Sequence, residues 1–144
     1  QLPKLYLWAG NQPGFRYTVN NYVETLFAWN PSLSKKNVVA LVERILGIEF
    51  PEDYPVERFN DPAPRSFYKQ IAGDEMKKMI HLGKDPDKLI PFIALEHFGG
   101  PQIEPREVRD LLTTLEESGI SRYIFFHYGV ITDPVWDVLT EFAE

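Results

Sequence analysis

The sequence contains no cysteine, so it can form neither a disulfide framework nor a thiolate zinc site, and it offers no thiol nucleophile. It also lacks any apolar stretch near the roughly 20 residues that cross a bilayer, and no basic and apolar leader follows Gln1. Basic residues are in deficit, with a net charge of -6 that would repel a phosphate backbone. We therefore expect no membrane and no nucleic-acid partner, while the compartment stays open.

Motifs that hold phosphate or a nucleotide are absent as well. The sequence has neither Gly-x-Gly-x-x-Gly nor Gly-x-x-x-x-Gly-Lys-Ser/Thr, so we expect no nucleotide cofactor. It also has no Gly-x-Ser-x-Gly elbow, which excludes a serine hydrolase of that design.

The length favours one folding unit. A chain of 144 residues that is 44% hydrophobic can bury one core but is short for two ordinary domains. We expect a single α/β domain over residues 1–144. Because the first residue is Gln1 and not methionine, the chain is interpreted as processed or excised, and as a fragment of something larger.

Four segments carry helix signals. Ser34 and Gly47 are the expected N-cap and left-handed stop of a helix over residues 35–46. Residues 65–82 carry an imperfect apolar stripe, with Gly73 as a weak point, which fits one helix or two. Residues 105–118 and 133–142 each begin near a proline and place apolar residues on one face.

Three apolar runs predict strands at residues 5–8, 89–95 and 123–128. The aromatic segment Phe15–Asn30 lacks a clean period and predicts a long, partly helical excursion, while the prolines of residues 50–64 predict an irregular loop. A helix of a dozen residues between the last two strands favours a right-handed crossover and a parallel pair. The sequence thus predicts an α/β fold whose strand ends at Glu96 and His127 share one rim.

The run from Leu89 through Glu96-His97-Phe98-Gly99-Gly100, followed by a helix and then Ser121 to Gly129, resembles the last two units of a glycoside-hydrolase (β/α)8 barrel. The resemblance covers residues 84–144 and implies part of a TIM-barrel-like architecture. It also implies a retaining reaction in which Glu96 is the nucleophile and Tyr128 forms an aromatic wall of the sugar subsite. The second carboxyl that such a reaction needs has no Asn-Glu match, and Glu24 is the nearest substitute.

A carbohydrate-active function follows as the leading hypothesis. Under it, Trp8 and Tyr128 stack on a sugar ring, His127 bonds a hydroxyl, and His97 lies beside the substrate. Aromatic residues serve the core as readily as a ligand, and the set concerned is Trp8, Tyr17, Tyr22, Trp29 and Tyr54.

Two further functions stay open. A non-catalytic domain or subunit would bind a protein partner, or the remainder of a larger polypeptide, through its aromatic loop Phe15–Trp29. A metal-dependent hydrolase would use Glu96, His97 and His127, since imidazole and carboxylate suit zinc. Glu96 could instead cap a turn or pair with Arg106, and both histidines could be hydrogen-bonded structural residues.

Overall fold

The structure is a computed structural model that describes residues 4–5, 15–51, 65–95, 103–126 and 128–143. Helices account for 65% of this part of the chain. Six α-helices lie within it, and their bounds are α1 Phe15–Trp29, α2 Lys35–Leu46, α3 Arg65–Tyr68, α4 Asp74–His81, α5 Pro105–Glu117 and α6 Asp133–Glu141. The described strands are β1 Lys4–Leu5, β2 Phe92–Ala94 and β3 Ile124–Phe126.

The predicted α/β class and the TIM-barrel-like architecture are both wrong, because the fold is mainly helical. The apolar run at residues 89–95 explains the error. Leu89 and Leu95 are as buried as Ile93, yet only Phe92–Ala94 pairs as a strand. Hydrophobicity in this run reflects burial against helices, and a continuous apolar run does not by itself distinguish a strand from other buried backbone.

The short strands nevertheless pair as the crossover argument predicts. The sheet order is β1-β2-β3, and both pairs are parallel. Phe92 lies beside Ile124 and Ala94 beside Phe126, so β2 and β3 end at the same level. The N–H of Ile124 also donates to the carbonyl of Pro91 at 2.9 Å.

Helix α2 confirms its predicted boundaries. The Ser34 hydroxyl accepts a hydrogen bond from the N–H of Asn37 at 3.2 Å, which satisfies one free donor of the first turn. Gly47 has a φ of 66°, a left-handed conformation that glycine adopts without a Cβ clash. Val38 and Val42 point inward from this helix and are fully buried.

Residues 65–81 form one uninterrupted helical segment with a change of winding at its centre. Helices α3 and α4 are joined by a π-helical turn, Lys69–Gly73. Gly73 is not a break but a packing contact. A Cβ placed on it would lie 2.9 Å from Thr114 Cγ2 and 3.4 Å from Ser118 Oγ, so α5 approaches closely here.

The core gathers residues from each of the six described α-helices, with the largest share from α5. Val108, Leu111, Leu112 and Leu115 of α5 are fully buried, as the apolar stripe predicts. Helix α6 adds Val135 and Val138 to the same cluster, and an Arg109–Glu141 ion pair with two 2.6 Å contacts joins these helices at the surface. In the part of the chain that is described, no helix has the length and apolarity to cross a membrane.

Candidate functional site

The residues that the sequence places at the strand rim fall mostly outside the described ranges. Trp8, Glu96, His97 and His127 all lie there, so their roles stay predictions. The backbone of Tyr128 begins a short 3-10 turn, Tyr128–Val130, but its side chain is also outside the described part. The parallel register brings the ends of β2 and β3 together, yet it tests none of the chemistry assigned to residues 96, 97 and 127.

Glu24 and Arg106, which the sequence suggests as partners of Glu96, each form an ion pair with another residue. Glu24, the nearest substitute for a second carboxyl, has an ion pair with Lys35 of α2, with Oε1 3.3 Å from Nζ. Arg106 donates from Nε to Glu104 Oε2 at 3.1 Å. Among described residues, no group of three or more histidine or acidic side chains could hold a metal ion. The described residues thus offer no support for a hydrolase or a glycosidase.

Among the described side chains one carboxylate is buried, and both of its oxygens accept hydrogen bonds from the protein. Glu107 in the first turn of α5 is only 2% exposed. The Tyr68 hydroxyl donates to its Oε1 at 2.7 Å, and the N–H of Glu104 donates to its Oε2 at 3.2 Å. Buried polar groups need such partners, and those of Glu107 hold α3 against the start of α5.

The clearest candidate for a functional surface is α1, the segment predicted to be a partly helical loop. It is a continuous 15-residue helix, so the loop interpretation is wrong in its conformation. Val19 and Val23 of α1 are fully buried, and Leu26 packs against the core at its edge. Residues three or four apart share a helix face, so these three residues form the inward face of α1.

A different face of α1 carries large exposed side chains. Tyr22 is 44% exposed and Trp29 is 76% exposed, and their seven-residue spacing places them on one side of the helix, two turns apart. Thr18 and Thr25 occupy the same side, because each lies three or four residues from an aromatic neighbour. We call the surface formed by Thr18, Tyr22, Thr25 and Trp29 the aromatic face.

The aromatic face contains no charged residue. The two charged residues of α1 are Arg16 and Glu24. Glu24 lies on another side of the helix, where it forms an ion pair with Lys35 at the start of α2. Beside the face stand Asn21 and Ala28, both exposed and both uncharged. The aromatic face and its two neighbours are therefore uncharged along the length of the helix.

A second exposed apolar surface lies on the sheet. Phe92, Ile124 and Phe126 point to the side opposite Ile93 and Phe125, because side chains alternate along a strand. The Phe92 and Phe126 rings pack with their centroids 5.2 Å apart. Ile124 is 39% exposed and Phe126 37%, so this face is partly open.

A tyrosine near β3 has a shifted ionisation. Burial raises the pKa of Tyr123 to about 12, and the Glu116 carboxylate beside it adds to the shift by opposing a second negative charge. The Tyr123 hydroxyl donates to the carbonyl of Ile120 at 3.1 Å. A tyrosine held so firmly in its neutral form is a structural hydrogen-bond donor and not a proton-transfer group at neutral pH.

Comparison with known proteins returns no relative: no protein-family description, no curated protein and no solved structure matches this chain. The functional argument therefore depends on the surfaces described above. The aromatic face could have been found in the sequence, since Thr18, Tyr22, Thr25 and Trp29 follow a 4-3-4 spacing that is regular for a helix. The signal was hidden by the aromatic residues on other sides of α1.

Proposed function

We propose that this chain is a non-catalytic interaction module that binds a protein partner through the aromatic face of α1. The observation that carries the proposal is the exposure of Trp29, 76% of which is accessible on a helix face without charge. Burying such a side chain in a partner removes a large apolar area from water.

The composition of the face supports a protein partner. Protein interfaces are depleted of charge at their centres and enriched in tyrosine and tryptophan, and both residue types are also enriched among those that dominate binding energy. Tyr22 and Trp29 lie one above the other along α1, and helices commonly dock by anchors at such spacings. The buried Val19 and Val23 fix the orientation of the helix, so the aromatic face is held outward.

Site-specific photo-crosslinking tests the proposal. A photoreactive amino acid replacing Thr25, at the centre of the aromatic face, is expected to form a discrete adduct in cells that express the chain. The same substitution at Leu82 is the control, because Leu82 is also 76% exposed but lies at the end of α4. Mass spectrometry of the adduct identifies the partner.

A second variant makes the outcome specific to the face. Trp29→Ser in the photoreactive protein should reduce the adduct by at least about tenfold, as expected for the loss of a dominant interface residue. Adducts that are equal at residues 25 and 82, or that persist in Trp29→Ser, would contradict the proposal.

A further inference from the structure

We infer that the partner of the aromatic face is a second copy of this chain, bound through an antiparallel pair of α1 helices related by a twofold axis. The inference rests on the proposed function, because it assumes that the aromatic face is an interaction surface. It names the occupant of that surface and the register of the contact.

The spacing along α1 is that of a helix-pairing seam. Thr18, Tyr22, Thr25 and Trp29 are separated by four, three and four residues, which is the repeat by which two helices keep one face together. The seam runs nearly the whole length of the 15-residue helix. It is distinct from the inward face of α1, so pairing would leave the core of each copy unchanged.

Side-chain size decides the direction of the pair. In an antiparallel pair whose twofold axis passes midway between residues 23 and 24, Tyr22 meets Thr25 of the partner subunit. In the next layer Trp29 meets Thr18 of the partner subunit. Each large ring then faces a small side chain, as well-packed layers require. A parallel pair would set the two Trp29 side chains against each other and leave the threonine layers underfilled.

Charge also favours this face for self-association. Each copy carries a net charge of -6, so two copies repel one another wherever their acidic surfaces approach. The aromatic face and its flanking Asn21 and Ala28 carry no charge, so α1 can pair without bringing like charges together. A basic partner protein would gain nothing specific from a neutral face.

The expected contact area indicates a weak dimer. A fully buried aromatic side chain covers roughly 150–250 Å². Burying what is now exposed of Tyr22 and Trp29 in both copies removes about 500 Å², and the threonines, Asn21 and Ala28 extend the contact. This approaches the size of about 1,000 Å² at which specific interfaces begin. We expect a dimer that dissociates on dilution, with a dissociation constant between about 1 µM and 1 mM.

Sedimentation equilibrium of the purified chain over about a hundredfold range of concentration measures the association. Wild type should move from monomer to dimer across this range. Trp29→Ser should weaken the dimer by at least about tenfold, whereas Leu82→Ser, a change at an equally exposed apolar side chain, should leave it unchanged. Far-UV circular dichroism confirms that each variant keeps its helices.

A charge pair tests the register. Thr25→Glu and Thr25→Lys place charges near the twofold axis, so each variant alone should be monomeric because like charges meet. An equal mixture of the two should recover the dimer, since opposite charges then face each other across the axis. Recovery places residue 25 of both copies at the contact, and failure of the mixture to associate would overturn the inference.

The direction of the pair is read from Thr18→Cys, the single cysteine of its chain. In the antiparallel pair the two copies of residue 18 lie roughly 16 Å apart and cannot form a disulfide, whereas a disulfide-linked dimer on oxidation would show a parallel pair and overturn the arrangement.

The outcomes separate this inference from the proposed function. A chain that is monomeric at every concentration, but whose residue-25 adduct contains another protein and is lost in Trp29→Ser, overturns the dimer and leaves the interaction module standing. Loss of both the adduct and the dimer overturns both. A dimer that Trp29→Ser does not weaken shows that copies meet elsewhere, which also overturns the inference.

Discussion

The three tyrosines whose side chains the structure describes occupy different environments, and the residue type alone does not distinguish them. Tyr68 is buried against Glu107, Tyr22 is exposed on the aromatic face, and Tyr123 is half-buried beside Glu116. The sequence indicates that Tyr22 belongs to a helix face through its spacing. It does not reveal the Tyr68–Glu107 hydrogen bond, because the two residues are 39 positions apart and only the folded chain brings them together.

The raised pKa of Tyr123 predicts a stability change at high pH. The unfolded chain loses this proton near pH 10, the ordinary tyrosine value, whereas the folded chain keeps it until about pH 12. Between these values the folded state binds more protons than the unfolded state. The stabilising effect of the neutral hydroxyl is therefore complete below pH 10 and is lost as the pH rises toward 12.

Urea unfolding followed by circular dichroism at several pH values between 9 and 12 measures this decline. Tyr123→Phe is the control, because it has no proton to lose and should show a shallower decline than wild type. Absorbance at 295 nm should show one fewer late-forming phenolate in Tyr123→Phe than in wild type. Identical slopes for the two proteins would contradict the assignment.

Among the secondary-structure elements, capping residues predict the bounds of helices better than apolar runs predict the lengths of strands. Ser34 and Gly47 correctly bounded α2, and the first-turn proline of α5 lies where Pro105 predicted it. Strand lengths were overestimated, since only three residues of each of the last two runs pair in the sheet. Helix α1 was missed as a full helix because its aromatic residues lie on several sides and obscure the period of Val19, Val23 and Leu26.

The close approach of the π-helical turn to α5 predicts an uncommon effect of alanine. Glycine to alanine usually stabilises a helix by up to about 1 kcal/mol. At Gly73 the new methyl group would lie 2.9 Å from Thr114 Cγ2, so either the Thr114 side chain or the packing of the two helices must shift. We expect Gly73→Ala to lower the free energy of unfolding by about 1–3 kcal/mol, measured by urea denaturation.

Two further variants identify the cause. Thr114→Ser removes the clashing methyl group. The double variant Gly73→Ala/Thr114→Ser should therefore lose less free energy of unfolding than the sum of the losses in the two single variants. Gly129→Ala meets no atom within 4 Å and should change stability by less than about 0.5 kcal/mol. Additive effects at residues 73 and 114 would show that the contact is not responsible.

For the whole molecule, the sequence predicted the parallel neighbours β2 and β3 but not the mainly helical fold around them. Local signals define elements, whereas the fold class depends on how many residues pair between strands, and this is set by tertiary contacts. The predicted site is subject to the same limit, because it depends on the fold class. The roles predicted for Glu96 and His127 depend on a rim of strand ends and on a barrel resemblance, and the helical fold is not a barrel. The aromatic face of α1 needs only a helix.

Net charge predicts how salt affects the proposed dimer. Two copies at -6 repel each other, while the seam that joins them is uncharged. Raising the salt concentration screens the repulsion and leaves the apolar contact intact, so association should strengthen by at least about twofold between 0.05 and 0.5 M NaCl. Sedimentation at the two salt concentrations measures the change. A dimer that salt weakens would depend on opposite charges and would contradict a neutral seam.

The Glu107 carboxylate has a consequence for how the chain folds. One oxygen holds the backbone at the start of α5, and the other is held by a hydroxyl from 39 residues earlier. One side chain thus takes part both in the first turn of α5 and in the docking of α3, which couples a local contact to a distant loop closure. A peptide that contains α5 alone should fray at its beginning. In the intact chain we expect α3 and α5 to unfold in a single transition, because the Tyr68–Glu107 hydrogen bond links them.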